Sequence, residues 1–332
     1  MAATIEQQLE RCVRSWCPGA TGVSDAARLS GGASQETWSF EIAHPDGNIG
    51  AILRRAPSGY GAAPSRAAGL AAEAVLMRLA HDAGIPSPRV LHVLEPGDEL
   101  GIGFIMQRVE GETIPRKILR DETFAAARPK LARQLGEILA GIHGLPLPQL
   151  PELRRMTAAS EIAELARDYR GFNWPRPVFE LALRWLSDHD PGPSARVTLV
   201  HGDFRHGNLI IGPDGVRAVL DWELAHLGDP MEDLGWVCVN SWRFGEIDKP
   251  VGGLGTREEL FAGYESARGD RVDPERVKFW EVMGTLRWGV MCCGMMQRFR
   301  DGPEHSVERA MIGRRSSETE IDLLRLLAPR GT

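Results

Sequence analysis

A predicted hairpin in the middle of the chain restricts the possible folds more than any other feature of the sequence. Residues 209–211 and 216–220 are mostly apolar and strand-like, and the Gly-Pro-Asp-Gly segment between them is a typical turn signal. A hairpin centred just before Gly215 pairs Asn208 with Asp221, because their numbers lie at equal distances from that centre. The pairing predicts that the two side chains lie together at the open end of the hairpin.

Three oxygen-bearing side chains converge on this end. Asp203 lies five residues before Asn208, on the loop that leads into the first strand, and Asp221 ends the second strand. Carboxylate and amide oxygens are hard ligands that suit Mg²⁺, an ion that keeps positions for substrate phosphates. The sequence therefore predicts a Mg²⁺ site formed by Asn208 and Asp221, with Asp203 beside it.

The residues of this site resemble a known group of phosphotransferases. His201, Asp203 and Asn208 form the pattern His-x-Asp-x-x-x-x-Asn, which is similar to the catalytic loop of protein kinases. The His-Gly-Asp sequence, the Asp-Trp-Glu that begins at Asp221 and the Gly-Asp-Pro-Met-Glu-Asp-Leu run at 228–234 look closer to the aminoglycoside phosphotransferase and choline kinase superfamily. Within it, they look most like the phosphotransferase domains related to those fused to some acyl-CoA dehydrogenases.

This resemblance implies an α+β fold with two lobes, like that of protein kinases. A small N-terminal nucleotide-binding lobe, an antiparallel sheet plus one helix, would occupy residues 1–107. A hinge would span 108–111, and a mainly helical catalytic and acceptor-binding lobe would span 112–332. The sequence pattern agrees, because strand-like segments and one helical segment at 70–83 precede residue 107 and amphipathic helices follow it.

Composition limits the other classes of function. The net charge of −6 argues against nucleic acid as a partner, since binding to a phosphate backbone requires a basic face. No apolar run approaches the roughly 18 residues that span a bilayer, so no membrane association is expected. The five cysteines form no Cys-x-x-Cys pair and are expected to be reduced, which predicts a cytoplasmic protein.

For the catalytic loop, the resemblance implies a role for each polar residue. Asp203 would be the base that takes the proton of the acceptor hydroxyl, while Asn208 and Asp221 would hold Mg²⁺. Arg205 would stabilise charge on the transferred phosphoryl group, and the alternative is a surface arginine.

Three further residues are expected to support the site. His201 would pack beneath the loop and bond to the backbone, and Asp233 would accept hydrogen bonds from the loop. Glu223 would bind metal or substrate, although a salt bridge is an equal alternative.

Two segments of the N-terminal region are predicted to bind the nucleotide. Gly31, Gly32 and Ser34 lie between two strands, where backbone N–H groups and a hydroxyl could cover the phosphates of ATP. By their order in the chain, Gln107 and Val109 belong to the hinge, and their backbone groups would bind adenine.

The phosphate clamp departs from the kinase pattern. A kinase uses a lysine on the third strand, paired with a glutamate on the next helix, but no lysine precedes Lys117 in this chain. Arg54 is the predicted replacement and Glu73 its partner, with Arg55 in reserve. Because strand side chains alternate, only one of the two arginines can point into the cleft.

These features predict a phosphotransferase that uses ATP (GTP is the alternative) and Mg²⁺ to phosphorylate a small-molecule hydroxyl acceptor. The acceptor is expected to be a hydroxyl-bearing metabolite rather than a cationic antibiotic, with one or two tryptophans of the C-terminal region lining its pocket (Trp236, Trp242, Trp280 and Trp288). The alternatives are a catalytically silent kinase-like protein that acts through a partner, and a metal-dependent phosphohydrolase.

Overall fold

The computed structural model describes residues 4–29, 35–57, 67–302 and 306–328. Its N-terminal part is a five-stranded antiparallel sheet with strand order β1-β2-β3-β5-β4 and two helices. The elements are β1 (Gly22–Arg28), β2 (Glu36–Ala43), β3 (Ile49–Arg55), β4 (Val90–Val93), β5 (Gly103–Gln107), α1 (Ile5–Trp16) and α2 (Leu70–Asp82).

The rest of the chain is mainly helical and carries two short two-stranded sheets, β6 with β9 and β7 with β8. Its helices are α3 (Pro115–Arg120), α4 (Arg128–Gly144), α5 (Ala158–Gly171), α6 (Pro177–Asp188), α7 (Met231–Val237), α8 (Arg257–Arg268), α9 (Pro274–Asp301), α10 (Val307–Gly313) and α11 (Ser316–Leu327). Its strands are β6 (Thr198–Val200), β7 (Leu209–Gly212), β8 (Gly215–Val219) and β9 (His226–Gly228). The predicted α+β fold with two lobes is confirmed.

Each face of the five-stranded sheet packs against a different helix. On β3, Ala51 and Leu53 belong to the cluster that α1 covers, whereas Ile52 between them belongs to the larger core that includes α2. This alternation follows from the strand period of two residues. It also puts neighbouring side chains of β3 into different environments, which matters for the two arginines at the end of that strand.

The prediction of a single helix in the N-terminal lobe was wrong, since α1 is an additional helix. Thr4 and Gln7 form a capping box at its start, and Leu9, Cys12 and Val13 are buried on one face of it. The signals of a cap and of apolar residues at helical spacing were present in the sequence. The helix forms because the outer face of the sheet offers an apolar surface for those three side chains.

Two long helices of the C-terminal lobe approach each other closely at glycines. A side chain at Gly136 of α4 would lie 2.0 Å from the carbonyl oxygen of Leu260 in α8, and Gly263 of α8 meets the carbonyl of Arg133 at the same distance. Only glycine permits this backbone contact. The tight pair holds α4 beneath the hairpin, where it contacts β6 and β8.

The register predicted for the hairpin was wrong by one residue at its open end. The turn is closed by Gly212 opposite Gly215, and a bulge shifts the pairing so that Leu209 faces Val219. The N–H of Leu220, not of Asp221, therefore donates to the carbonyl of Asn208, at 2.8 Å. Asp221 lies one residue beyond the ladder, where its backbone is free to turn.

Within the described parts of the chain, no helix has both the length and the apolar character required to cross a bilayer.

Candidate active site

Asp203 is the most heavily hydrogen-bonded side chain of the loop between β6 and β7. Its carboxylate accepts from Nε of Arg205 at 3.0 Å, from Nδ2 of Asn208 at 2.6 Å and from the indole N–H of Trp236 at 3.0 Å. Donors from three sides hold the carboxylate in one orientation. Trp236 was not predicted as a partner of Asp203, because it lies 33 residues away on α7.

Asn208 is oriented by its own amide hydrogens. Nδ2 donates both to the carboxylate of Asp203 and to its backbone carbonyl, at 2.6 and 2.9 Å. Both hydrogens of the amide are thereby used, which leaves the carbonyl oxygen Oδ1 as the side-chain atom for a ligand. Together with the carboxylate of Asp221 in the same cavity, it gives a hard-oxygen donor set that fits Mg²⁺.

Asp221 has a left-handed backbone, with φ 67° and ψ 63°. Residues other than glycine, asparagine and aspartate adopt this backbone conformation at a cost of about 1–2 kcal/mol. The turn carries the carboxylate out of the hairpin toward the sheet, where Oδ1 accepts a hydrogen bond from Arg54 at 2.5 Å.

Arg54 lies at the centre of a cluster of acidic groups. Its Nε lies 3.2 Å from a carboxylate oxygen of Glu73 and donates to the side-chain oxygen of Gln35. Its Nη2 donates to Asp221 and lies 3.9 Å from a carboxylate oxygen of Glu223. Arg55 points to the other face of the strand and pairs with Glu36 at 2.9 Å. The arginine of β3 that enters the cleft is therefore Arg54.

Glu73 is almost completely buried, with 1% of its surface exposed. Burial raises its pKa to about 8, the negative charges of Asp221 and Glu223 add to this, and the opposing effect of Arg54 is smaller than that of burial. Its second carboxylate oxygen has no hydrogen-bond partner among the described residues. One guanidinium thus lies beside three carboxylates, and the negative charge of Glu73 is incompletely compensated.

The underside of the catalytic loop is bonded to a buried aspartate. Asp233 accepts hydrogen bonds from the backbone N–H groups of His201 and Gly202, at 2.8 and 2.9 Å, and from Nε2 of His143 at 3.0 Å. Burial would raise the pKa of Asp233, but the hydrogen bond and charge of His143, together with the backbone N–H of His201, hold it below its usual value. The ring of His143 in turn contacts the hydroxyl of Tyr264 at 3.0 Å, which ties the loop to the α4–α8 pair.

The side chain of His201 is completely buried, and among the described residues its ring is hydrogen-bonded only to backbone groups. One ring nitrogen is 3.2 Å from the carbonyl of Leu220, and the other accepts from the N–H of Asp203 at 3.3 Å. Burial lowers its pKa, so that the ring is neutral. In this place it braces the loop and has no access to a substrate.

A second buried group, which the sequence did not indicate, supports the loop next to Gly202. His226 contacts Glu232 at 3.0 Å, Arg287 pairs with the same glutamate at 3.2 Å, and Arg287 also reaches the carbonyl of Gly202 at 3.4 Å. His226, Glu232 and Arg287 lie up to 61 positions apart in the sequence and on three different elements. No local pattern could have identified them.

A cavity of about 1010 Å³ opens beside these groups. Its polar wall contains Arg54, Asp203 and Asp221, and its apolar wall contains six large side chains. These are Trp236, Trp242, Trp288, Met291, Met295 and Ile312. Arg205 lies across the ring of Trp242 at 4.9 Å, between the two walls.

Trp280 does not belong to this cavity. Its indole N–H donates to Asp229 at 3.0 Å, and the ring is buried in the helical core.

Five residues predicted for the nucleotide site remain: two in the predicted hinge, and three in the glycine-rich segment that contains Gly31. The N–H of Gln107 is already paired with the carbonyl of Arg89 at 2.8 Å, so a base could use only the carbonyl oxygen of Gln107. Val109 is partly exposed two residues later. Gly31, Gly32 and Ser34 lie outside the described residues.

Comparison with known proteins identifies the family. The profile of the phosphotransferase enzyme family (APH) matches residues 25–269. Acyl-CoA dehydrogenase family member 10 of Mus musculus is 30% identical over 316 residues, which are 89% of this chain and 28% of that protein. The chain spans less than half the length of the curated relatives it matches.

Two solved structures show the same fold. A putative aminoglycoside phosphotransferase from Ralstonia eutropha superposes with a TM-score of 0.75 at 22% identity, over 96% of this chain and 97% of that one. A variant of aminoglycoside phosphotransferase APH(4)-Ia, in a ternary complex with ADP and hygromycin B, superposes with a TM-score of 0.62 at 17% identity, over 99% and 100%. The extent of the profile match and the shared fold agree, and the chain belongs to the phosphotransferase enzyme family.

Proposed function

We propose that this protein transfers the γ-phosphoryl group of ATP to a hydroxyl group of a small molecule, in a Mg²⁺-dependent reaction. The observation that carries the proposal is the convergence of Asp203, Asn208, Asp221 and Arg54 on one cavity. The complex of the related fold with ADP and hygromycin B supports a nucleotide and a small acceptor as the two substrates.

Asp203 is the proposed base. The acceptor oxygen attacks the γ-phosphorus, the bond from that phosphorus to the bridging β-oxygen breaks, ADP leaves, and the hydroxyl proton passes to the Asp203 carboxylate. Arg205, Asn208 and Trp236 hold this carboxylate in place before the acceptor arrives. His201 is not a candidate base, since it is buried and both of its ring nitrogens are engaged.

Asn208 and Asp221 are the proposed Mg²⁺ ligands. The ion would neutralise charge that develops on the phosphate oxygens during transfer. Arg54 supplies the cation that a lysine provides in other kinases, and Glu73 is its partner. Arg205 lies between Asp203 and Trp242, so its guanidinium is near enough to the base to contact the transferred group.

In this proposal, the two lobes bind different substrates. Residues 1–107 bind the nucleotide through Arg54 and the glycine turn, the hinge at 108–111 contacts the base, and residues 112–332 hold the catalytic loop and the acceptor. Because its backbone N–H is engaged, Gln107 contributes its carbonyl oxygen, and Val109 is the proposed donor.

The apolar wall of the cavity favours an uncharged or anionic acceptor over a cationic one. Arginines lie over the rings of all three tryptophans: Arg205 at 4.9 Å from Trp242, Arg287 at 5.0 Å from Trp236 and Arg315 at 6.0 Å from Trp288. Of these three arginines, only Arg205 lines the cavity, so a cationic amino sugar would have to displace it or approach it. A hydroxyl compound with an apolar portion suits this wall better.

The alternative of a catalytically silent protein was based on the missing lysine. Arg54 provides a cation beside Glu73 and Asp221, which removes that reason and favours the enzyme.

Calorimetric titration of Mg·ATP into the wild-type protein and into Asp221→Ala tests the proposal. We expect Mg²⁺-dependent binding in the wild type and its loss in Asp221→Ala. Asp214→Ala is a matched control, because this aspartate lies in the exposed hairpin turn and pairs only with Arg217 among the described residues. Parallel titration with GTP decides which nucleotide is preferred, and absence of binding to wild type at millimolar concentrations of both would refute the proposal.

A further inference from the structure

A cluster of three potential metal ligands lies in the N-terminal lobe, away from the active site. Cys12 of α1, His92 of β4 and Asp98 of the 3-10 turn Pro96–Asp98 each offer one ligand atom, and these atoms all lie within 4.8 Å of one another. The three residues come from separate elements, so tertiary packing alone brings them together.

The cluster belongs to the outer face of the sheet. Cys12 packs in the apolar cluster that contains Leu53 and Ile105, whereas Arg54 points into the cleft on the opposite face. The site is therefore separate from the proposed nucleotide and Mg²⁺ ligands, and ligation by a thiol distinguishes it from them chemically.

The charges of the cluster are incompletely balanced. Asp98 is buried, with 7% of its side chain exposed, and within the described ranges the only basic side chain that contacts its carboxylate is His92, at 2.8 Å. No lysine or arginine among the described residues pairs with this buried carboxylate, so a cation bound at the cluster would offset its charge.

We propose that Cys12, His92 and Asp98 bind a Zn²⁺ ion that ties α1 to the edge of the sheet. Sulfur, imidazole nitrogen and carboxylate oxygen together suit Zn²⁺ and not Mg²⁺ or Ca²⁺, which take oxygen ligands. Three protein ligands leave the fourth tetrahedral position for water.

Binding replaces the thiol proton with the metal. Cys12–SH and Zn²⁺ give Cys12–S⁻–Zn²⁺ and one released proton, and His92 ligates as a neutral imidazole. The thiolate and the Asp98 carboxylate carry two negative charges, so the occupied site is neutral. Neutrality matters here because a net charge in this apolar environment would be costly.

The surrounding residues are arranged to hold the ligands. The indole of Trp16 stacks on the ring of His92, with centroids 5.4 Å apart and an interplanar angle of 7°. The backbone N–H of Glu95 donates to Oδ2 of Asp98 at 2.7 Å, which fixes that carboxylate and leaves its other oxygen for the ion.

Spectroscopy with Co²⁺ provides a direct test, because a thiolate ligand gives a sulfur-to-cobalt absorption band that the oxygen ligands of the active site cannot produce. In reduced protein from which a chelator has removed metal, we expect one Co²⁺ to bind per chain with this absorption band. It should persist in Asp221→Ala and disappear in Cys12→Ser. Cys17→Ser is the matched control, since this cysteine lies five residues later and outside the cluster.

Competition with a chromophoric chelator measures Zn²⁺ itself. We expect one Zn²⁺ per chain with release of about one proton, and affinity at least about tenfold lower in His92→Gln and in Asp98→Asn. Zn²⁺ should also raise the Tm of wild type more than that of Cys12→Ser. Absence of the cobalt band in wild type, or its persistence in Cys12→Ser, would overturn the proposal and leave a metal-free hydrogen-bond network.

Discussion

The two sides of the catalytic loop differ in how their charged groups are compensated. The loop floor consists of the buried residues beneath it (His143, His201, His226, Glu232, Asp233 and Arg287). The charged cleft consists of Arg54 and the three carboxylates around its guanidinium (Glu73, Asp221 and Glu223). Both regions are rich in ionisable side chains, but the number of donors available to each carboxylate differs between them.

In the loop floor, each negative charge has several donors. Asp233 accepts three hydrogen bonds between 2.8 and 3.0 Å, and Glu232 lies between His226 and Arg287. A buried carboxylate that is fully hydrogen-bonded holds its surroundings in one arrangement. The floor therefore keeps the backbone of the loop in a fixed position.

In the charged cleft, one arginine compensates several carboxylates. Arg54 is shared among Glu73, Asp221 and Glu223, one oxygen of Glu73 lacks a partner among the described residues, and Asp221 has a left-handed backbone. Such an arrangement is expected where a ligand completes the site. The comparison teaches that the protein itself stabilises the position of the loop, and under the proposed function bound substrates and metal would complete the compensation of the cleft.

The largest effect is expected from Asp203→Asn. An amide cannot accept the hydroxyl proton, so turnover should fall by about 10²- to 10⁴-fold while the affinity for Mg·ATP changes only a few-fold. Steady-state release of ADP and calorimetry separate the two quantities. Unchanged turnover would show that Asp203 is not the base.

Asp233→Asn should break the loop floor. Asparagine keeps one acceptor oxygen but places an NH₂ group against at least one of the buried donors, and the negative charge beside His143 is lost, so we expect about 3 to 5 kcal/mol less stability in urea unfolding. Asp188→Asn is the control, because its pair with Arg184 is exposed to solvent and should contribute far less to stability. Equal losses in the two variants would mean that the floor is not specially stabilised.

Arg54→Ala tests the charged cleft. Loss of one charge-assisted contact to phosphate should weaken Mg·ATP binding about ten- to a hundredfold, whereas Arg55→Ala should change it little. A double variant with Glu73→Gln should be less than additive, since the two residues contact each other. A larger effect at Arg55 would contradict the assignment of the clamp.

Glu73→Gln should change the pH dependence of stability. The pKa of Glu73 is raised to about 8 from its ordinary 4.5, so between these values the folded protein binds more protons than the unfolded one. Stability of the wild type should therefore decrease as pH rises through this window, by up to about 1.4 kcal/mol per pH unit from this group. Urea unfolding at pH 5, 6.5 and 8 gives the difference in unfolding free energy between wild type and variant, which isolates the contribution of Glu73. Parallel pH profiles of the two proteins would show that Glu73 is ionised throughout.

Sequence patterns were sufficient where chemistry and spacing are local. The bilobal fold, the family and the α2 segment were predicted correctly, because strand alternation and the motifs at 201–208 and 221–223 each lie within a few residues. The register of the hairpin was wrong because a bulge in a strand leaves no clear signal in the sequence. Helix α1 was missed although Thr4 and Gln7 indicated its start.

The sequence by itself determined which chemical groups the protein has available: His-Gly-Asp with Asn208, Asp-Trp-Glu at Asp221, and arginine where kinases have lysine. Only the tertiary structure decided which of Arg54 and Arg55 faces the cleft, and that His143 braces the loop and Cys12 meets His92. The physical reason is that these contacts join residues from separate elements. Their geometry depends on how helices and sheet pack, and no local propensity carries that information.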